Sequence, residues 1–323
     1  MTIITDTSHL SLSPCVATIG CFDGVHRGHR YLVEQVCGEA RKRNMQSALI
    51  TFPIHPRQVM QSDYCPQWLT CLPQKQALIQ TLDADLCILL PFTHELSMLS
   101  AREFMQLLHE RYNVCALVIG YDHRFGHNRS EGFEDYCRYG EELGMEIIHA
   151  TGLIEDGVSI SSSLIRGLLK KGEVEKANHY LGYNYYLDGT VVDGFKVGRK
   201  LGFPTANLKP SCSDKLIPST GVYAVYVYVE GERHIGMLNI GHRPTLSNGT
   251  EISIEVNIFD FSDNLYQHSM RIEFVHFIRA EQKFDSLELL VEQLKRDKLS
   301  VLSLLVLAYN NIPETSLFLF SKF

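Results

Sequence analysis

Hydrophobic and polar positions divide the chain into two unlike halves. In the first, short apolar runs alternate with amphipathic stretches. Residues 16–19 (VATI), 46–52 (QSALITF), 86–90 (LCILL) and 115–120 (CALVIG) read as buried strands. Between them, residues 31–40, 72–82 and 101–112 carry apolar side chains at helical spacing, as in Phe104, Leu107, Leu108 and Tyr112. Strands alternating with helices predict a parallel sheet covered on both faces, an α/β fold. Ligands of such sheets bind beyond the carboxyl ends of the strands, which Gly20, Phe52, Pro91 and Gly120 mark here.

After a helix from about Glu173 to Leu181, ended by Gly182, the period changes to two. YLDGTVV, GVYAVYVYV, HIGMLNIG, EISIEVNIF and MRIEFVHFI follow, with turns between them. This spacing predicts an antiparallel β-barrel. A closing helix is expected where Asp285 and Glu288 have capping-box spacing ahead of Leu287, Leu290, Val291 and Leu294. The expected domains are therefore 1–182, 183–298 and an apolar tail, 299–323. That tail either packs on the barrel or mediates self-association into a homo-oligomer, and the pattern leaves both open.

Composition narrows the function classes. The 323 residues are 45% hydrophobic and 21% charged, with net charge −7. An acidic balance speaks against a general nucleic-acid surface, so bound phosphates must be met by locally gathered donors. The nine cysteines form no C-x-x-C pair, which suggests neither a zinc site nor a redox dithiol. The first residues lack a basic start and a long apolar core, and no run is long enough to span a bilayer. A cytoplasmic protein without membrane or nucleic-acid partners is expected.

The candidate chemistry starts at VATIGCFDGVHRGHR, residues 16–30. A strand stops at Gly20, and a loop with Phe22, Asp23, Gly24, His26, Gly28 and His29 leads into a helix. Two imidazoles at a helix N-terminus, beside unpaired N–H groups, suit stabilisation of a phosphate. Gly28 lets the backbone approach a ligand closely. Asp23 reads as a loop-orienting residue rather than a metal ligand. Ser161, Ser162 and Ser163 open another helix carrying Arg166; one hydroxyl is explained as a cap, and together the group offers a second phosphate clamp. YDHRFGHNR follows Gly120 and places Asp122, Arg124 and Phe125 just past a strand end. In the second half, PTAN offers hard oxygen ligands at Thr205 and Asn207, suited to Mg²⁺. The period of two sets Glu255 opposite Ile254 and Val256. There is no Walker-type phosphate loop.

Within residues 16–30, GCFDGVHRGHR closely resembles the G-x-F-D-G-V-H-x-G-H-R signature of FMN adenylyltransferases, of the nucleotidyltransferase superfamily. ISSSLIR resembles that superfamily's I-S-S-T-x-x-R, with Ser163 in place of Thr. TFPIHP, with His55, departs from the family's T-F-x-P-H-P by a displaced proline, and His123 stands where its G-x-D-F-R-F-G stretch has Phe. GRKLGFPTANL, residues 198–208, resembles the riboflavin kinase signature, NIGHRPT its N-I-G-x-x-P-T turn, and FIRAEQKF its L-R-x-E-x-K-F. Asn257 replaces the His of the family's E-V-H strand. The whole, from about residue 14 to 298, is similar to bacterial bifunctional riboflavin kinase and FAD synthetase enzymes.

The resemblance implies two reactions: phosphorylation of riboflavin by ATP, then AMP transfer from ATP to FMN to give FAD and pyrophosphate. Gly20, Phe22, Asp23, His26, Gly28, His29, Ser162, Ser163 and Arg166 would meet ATP in the first domain, and Asp122, Arg124 and Phe125 the flavin. Gly198, Arg199, Gly202 and Pro204 would meet ATP in the barrel, with Thr205 and Asn207 on Mg²⁺. Arg279 and Glu281 would lie beside the flavin, and Glu255 would be the general base. A flavin or nucleotide sensor with silent sites is the competing reading. Retention of both histidines, Arg166, Thr205, Asn207 and Glu255 speaks for catalysis. A tRNA-charging fragment fails on the acidic charge and the missing anticodon-type domain.

Overall fold

The computed structural model describes residues 1–5, 12–61, 63–120, 123–127, 129–194, 197–244 and 250–309. The chain forms two compact units, Met1–Leu164 and Ile165–Phe323.

The first unit is built on six strands: β1 (Thr2–Thr5), β2 (Cys15–Ile19), β3 (Gln46–Thr51), β4 (Leu86–Leu89), β5 (Val114–Ile119) and β6 (Glu146–His149). They pair in the order β1-β4-β3-β2-β5-β6, parallel throughout. From β2 the chain adds strands first on one side and then on the other, so the order reverses between β2 and β5. That reversal opens a crevice beyond their carboxyl ends.

Helices α1 (Arg27–Arg43), α2 (Pro56–Met60), α3 (Leu72–Gln80), α4 (His94–Ser97), α5 (Ala101–Tyr112) and α6 (Phe133–Leu143) connect the strands. Val33 and Cys37 of α1 and Ile79 of α3 pack with Leu49 and Cys87 in one core cluster. Phe104, Met105 and Leu108 of α5 pack with Ile50, Ile88 and Leu117 in another. Adjacent strand residues point to opposite faces, so Leu49 and Ile50 serve the two layers in turn. Helix starts and stops follow local chemistry: Ser100 and Glu103 form a reciprocal capping box on α5, and Asn44 and Asn113 end α1 and α5 in the left-handed conformation. The expected strands and helices are present within two residues at each end, except that α1 is longer than the expected 31–40, starting four residues earlier and ending three later. β1, α2, α4, α6 and β6 were not anticipated; β1 is only four residues long and lies at the sheet edge. A small hairpin, β7 (Ile154–Glu155) and β8 (Val158–Ser159), precedes α7 (Ser162–Lys170).

The second unit holds α8 (Val174–Leu181) and a closed antiparallel barrel. Its strands are β9 (Tyr186–Val192), β10 (Ala206–Pro210), β11 (Gly221–Val229), β12 (Glu232–Pro244), β13 (Thr250–Ile258) and β14 (Ser269–Arg279), with a short α9 (Val197–Lys200) after β9. Closure in the order β10-β13-β12-β11-β14-β9 leaves no unpaired edge strand. α10 (Leu287–Tyr309) differs from expectation in two respects. Its first turn is capped by Ser286, whose hydroxyl accepts from the Leu289 amide, rather than by Asp285. It also runs on past residue 298. Val301 and Leu305 are fully buried against Val222, Ala224, Tyr226 and Met237 on the outside of the barrel. Residues 310–323, the rest of the apolar tail, lie outside the described residues.

Candidate active sites

The loop between β2 and α1 is held in a conformation its sequence would not choose unaided. Phe22, Gly24 and Val25 all have positive φ, at 47°, 83° and 39°. Such angles are costly for a β-branched valine and persist only when surroundings over-determine them. Three anchors do so. The Asp23 carboxylate accepts from the amides of Leu69 and Thr70 at 2.9 and 3.0 Å, and the Gly24 amide donates to the Thr70 hydroxyl. The Ser162 hydroxyl donates to the Asp23 carbonyl at 2.9 Å. Phe22 and Val25 are buried in the core. Asp23 is thus a loop-orienting residue.

The loop delivers two imidazoles to the start of α1. His26 is the N-cap, and its Nδ1 accepts from the His29 amide at 3.3 Å. The acceptor role at Nδ1 leaves the proton of the neutral ring on Nε2. The two rings stack with centroids 3.6 Å apart and planes 16° from parallel. Gly28 permits this, because a Cβ there would press on the His26 ring and the Ile160 carbonyl at 3.2 and 3.1 Å. The Nδ1 of His29 is buried with no hydrogen-bond partner among the described residues. Burial, then the neighbouring His26, then the charge of Lys75 hold the His29 pKa well below the ordinary value. The first turn of α1 therefore carries an imidazole that resists protonation and whose Nδ1 is unpartnered among the described residues. Arg27, between the two histidines, is engaged by Glu155 at 2.7 Å.

Of the serines at α7, Ser161 is the cap, accepting from the Leu164 amide, and Ser163 is exposed. Arg166 stands one turn beyond Ser162 on the same helix. Beyond β2, β3 and β5 lies a cavity of about 430 Å³, walled by Phe52, Phe92, Phe104 and Phe125 and carrying Arg57, Arg124 and Arg129. Phe125 stacks on Tyr136 at 4.2 Å, so one side of its ring is already covered. Asp122 lies outside the described residues.

In the barrel, one rung gathers the polar groups. Asn207 of β10 is in register with Glu255 of β13, Glu255 with Asn239 of β12, Asn239 with Val222 of β11, and Val222 with Arg279 of β14. Directly opposite residues point to the same face, here the outer one. Glu255, Asn239, Arg279 and Glu281 line a cavity of about 360 Å³ that Leu290 and Leu294 of α10 border. Arg279 is fixed there by Asp297, with Nη2 2.8 Å from Oδ2. The Glu281 carboxylate lies over Gly241, where a Cβ would meet Oε1 at 2.5 Å.

A second barrel cavity, of about 650 Å³, is lined by Arg199, Pro204, Thr205, Asp263 and Asn264. Thr205 borders both cavities and donates to Glu255 Oε2 at 3.4 Å. The turn around it is built tightly. Gly198 accepts from the Leu201 and Phe203 amides, and Gly202 takes a φ of 82°. A Cβ on Gly194 would strike the Asn207 amide at 2.1 Å, so only glycine fits behind that side chain. No cluster of three or more His, Cys, Asp or Glu side chains able to hold a metal occurs among the described residues.

Known proteins match both units. A riboflavin kinase family model matches residues 181–305, and an FAD synthetase model residues 8–164. The bifunctional riboflavin kinase/FMN adenylyltransferase of Listeria monocytogenes is 37% identical over 286 residues, covering 88% of this chain and 90% of its own. That of Escherichia coli K12 is 36% identical over 305 residues, covering 93% and 96%. The chain belongs to the bifunctional riboflavin kinase/FMN adenylyltransferase family. It phosphorylates riboflavin to FMN with ATP and transfers AMP from ATP to FMN, giving FAD and pyrophosphate. A solved chain described as a macrolide-efflux protein from Streptococcus pneumoniae shares the fold, with TM-score 0.84 and 29% identity over 93% of this chain and 99% of that one. Among the described residues no helix is long and apolar enough to cross a membrane.

For a flavin kinase and adenylyltransferase, several groups that shape the sites escaped the sequence motifs. Lys75, Thr70 and Asp297 come from stretches that match no motif. Only the tertiary fold brings them to the loops they support.

Proposed function

We propose that the two reactions divide between the two sites as follows, with adenylyl transfer in residues 1–182 and riboflavin phosphorylation in the barrel. In the barrel, riboflavin occupies the 360 Å³ cavity with its 5′-hydroxyl toward Glu255, between Arg279 and Glu281. ATP takes the 650 Å³ cavity, with Arg199 and Pro204 on its wall, while Gly198, which borders the 360 Å³ cavity, and Gly202 shape the turn that carries them. The observation that carries this reading is Thr205, which borders both cavities and touches Glu255. Glu255 takes the hydroxyl proton as the oxygen attacks the γ-phosphorus, and ADP leaves.

Thr205 and Asn207 offer a hydroxyl and an amide oxygen beside the Glu255 carboxylate, a hard donor set that fits Mg²⁺. With so few protein ligands, the ion would share its coordination with ATP phosphates. Mg²⁺ supplies neutralisation of charge on the transferred phosphoryl group.

In the first unit, the start of α1 binds the ATP phosphates. The nucleophile, the FMN phosphate, is already anionic, so no strong base is needed, and the site works by positioning and charge neutralisation. His26 and His29 donate to the phosphates, Gly20, Phe22, Asp23 and Gly28 shape the loop, and Ser162 and Ser163 add donors from the start of α7. The aromatic cavity takes the isoalloxazine ring, with Arg124 and Phe125 on its wall. Chromatography of riboflavin, FMN and FAD over time, with ATP and Mg²⁺, tests the division. His29→Ala stalls the reaction at FMN, and Glu255→Ala stalls it at riboflavin. With FMN supplied, Glu255→Ala should still form FAD; loss of that step as well, or loss of riboflavin phosphorylation in His29→Ala, would refute separate sites.

A further inference from the structure

Lys75 on α3 is a buried cation that neither proposed reaction step uses. It is 2% exposed, and the Trp68 ring lies 5.7 Å from its Nζ. Its Nζ donates to the Phe52 carbonyl at 2.7 Å, the Cys21 carbonyl at 3.2 Å and the Thr51 hydroxyl at 3.4 Å. Three acceptors match the three N–H bonds of an ammonium. Thr51 in turn donates to the Cys21 carbonyl at 3.3 Å. No carboxylate pairs with Lys75 among the described residues, and the nearby Asp23 is engaged by the Leu69 and Thr70 amides.

An unpaired ammonium is expensive to bury, and an apolar side chain would fill the same space at lower cost. Its position explains its presence. Cys21 opens the loop that carries His26 and His29, Phe52 follows β3, and both residues line the aromatic cavity. Lys75 therefore bridges the floor of the phosphate loop to the wall of the flavin cavity.

We propose that Lys75 is a positioning residue for adenylyl transfer, locking the Cys21 carbonyl to the Phe52 carbonyl and placing a positive charge, without an ion-pair partner among the described residues, beneath the His26–His29 loop. This rests on the assignment of that loop to ATP phosphates made above. The charge also acts on His29, which faces the His26 ring from its own loop and Lys75 from α3. Lys75 helps to hold that imidazole neutral, behind the larger effects of burial and His26. Removing the charge raises the pH at which His29 protonates.

The test measures FAD formation from FMN and ATP against pH in the full-length protein, with riboflavin phosphorylation as the control for folding. Lys75→Met and Lys75→Gln should each lower kcat about tenfold, the scale of one lost charge-assisted contact. They should also move the acid limb of the profile to higher pH, while Lys75→Arg keeps the limb in place. A lower rate with an unmoved acid limb in both neutral variants means a purely structural lysine and overturns the proposal. His29→Ala separates the two levels. If it leaves FAD formation intact, the loop assignment falls and this proposal with it. If it abolishes FAD formation while both neutral Lys75 variants match the parent limb, only the role of Lys75 falls.

Discussion

Asn257 on β13 donates its side-chain amide to the Pro204 carbonyl at 2.6 Å. The residue that departs from the family's E-V-H strand thus holds the PTAN turn, two positions along the strand from Glu255 and on the same face. Thr205, the next residue after Pro204, is the one in contact with Glu255. Asn257→Ala leaves the turn without this tie and should lower kinase kcat/KM about tenfold, since small misplacements of reacting groups are costly. FAD formation from supplied FMN should not change. Kinetics of the two half-reactions, measured separately, check this.

Glu255→Gln keeps the shape of the side chain and removes its basicity. General bases contribute roughly 10²- to 10⁴-fold, so riboflavin phosphorylation should fall by about that factor. Adenylyl transfer should persist at the parent rate. A kinase that retains near-parent activity in this variant would remove Glu255 from the role of base.

The depressed pKa of His29 ties stability to pH. The unfolded chain binds a proton near the ordinary histidine value of 6.5, while the folded ring resists it. Below that pH the unfolded state holds more protons, so the stability of the first unit falls as pH drops toward the lowered folded value. Above it the effect is absent. His29→Gln should flatten this acid dependence, which urea unfolding between pH 5 and 8, roughly the range in which histidine titrates, would show.

What the sequence made legible follows from how local each signal is. The β2–α1 loop was readable because its strand, glycines and histidines are contiguous, and the barrel because its period of two persists through β11, β12 and β13. Lys75 was not readable. In LPQKQALIQ it looks like a solvated helix position, and only the packing of α3 beneath Cys21 and Phe52 buries it. Asp297 was hidden in the same way, as one charge on a helix whose partner, Arg279, lies on a distant strand. The cap of α10 was misread by one residue, because Asp285 and Ser286 are both good caps and spacing alone does not choose between them.

The continuation of α10 supplies the last prediction. A break at residue 298 was expected because LSVLSLLVLA looks like a separate apolar tail. Helical spacing instead places Val301 and Leu305 four apart on one face, both fully buried against the outer surface of β11 and β12. The same helix carries Asp297, which fixes Arg279 at the proposed riboflavin cavity, and Leu290 and Leu294, which border it. Leu305→Ala should destabilise the barrel by about 2–5 kcal/mol, the range for a buried leucine that leaves a cavity. It should also raise the KM for riboflavin, because a loosened helix no longer holds Asp297 against Arg279. Ending the chain after Lys298 should do both more severely. Denaturant unfolding monitored alongside riboflavin KM tests the link: a variant that loses stability but binds riboflavin as the parent does would show that α10 braces the barrel without shaping the site.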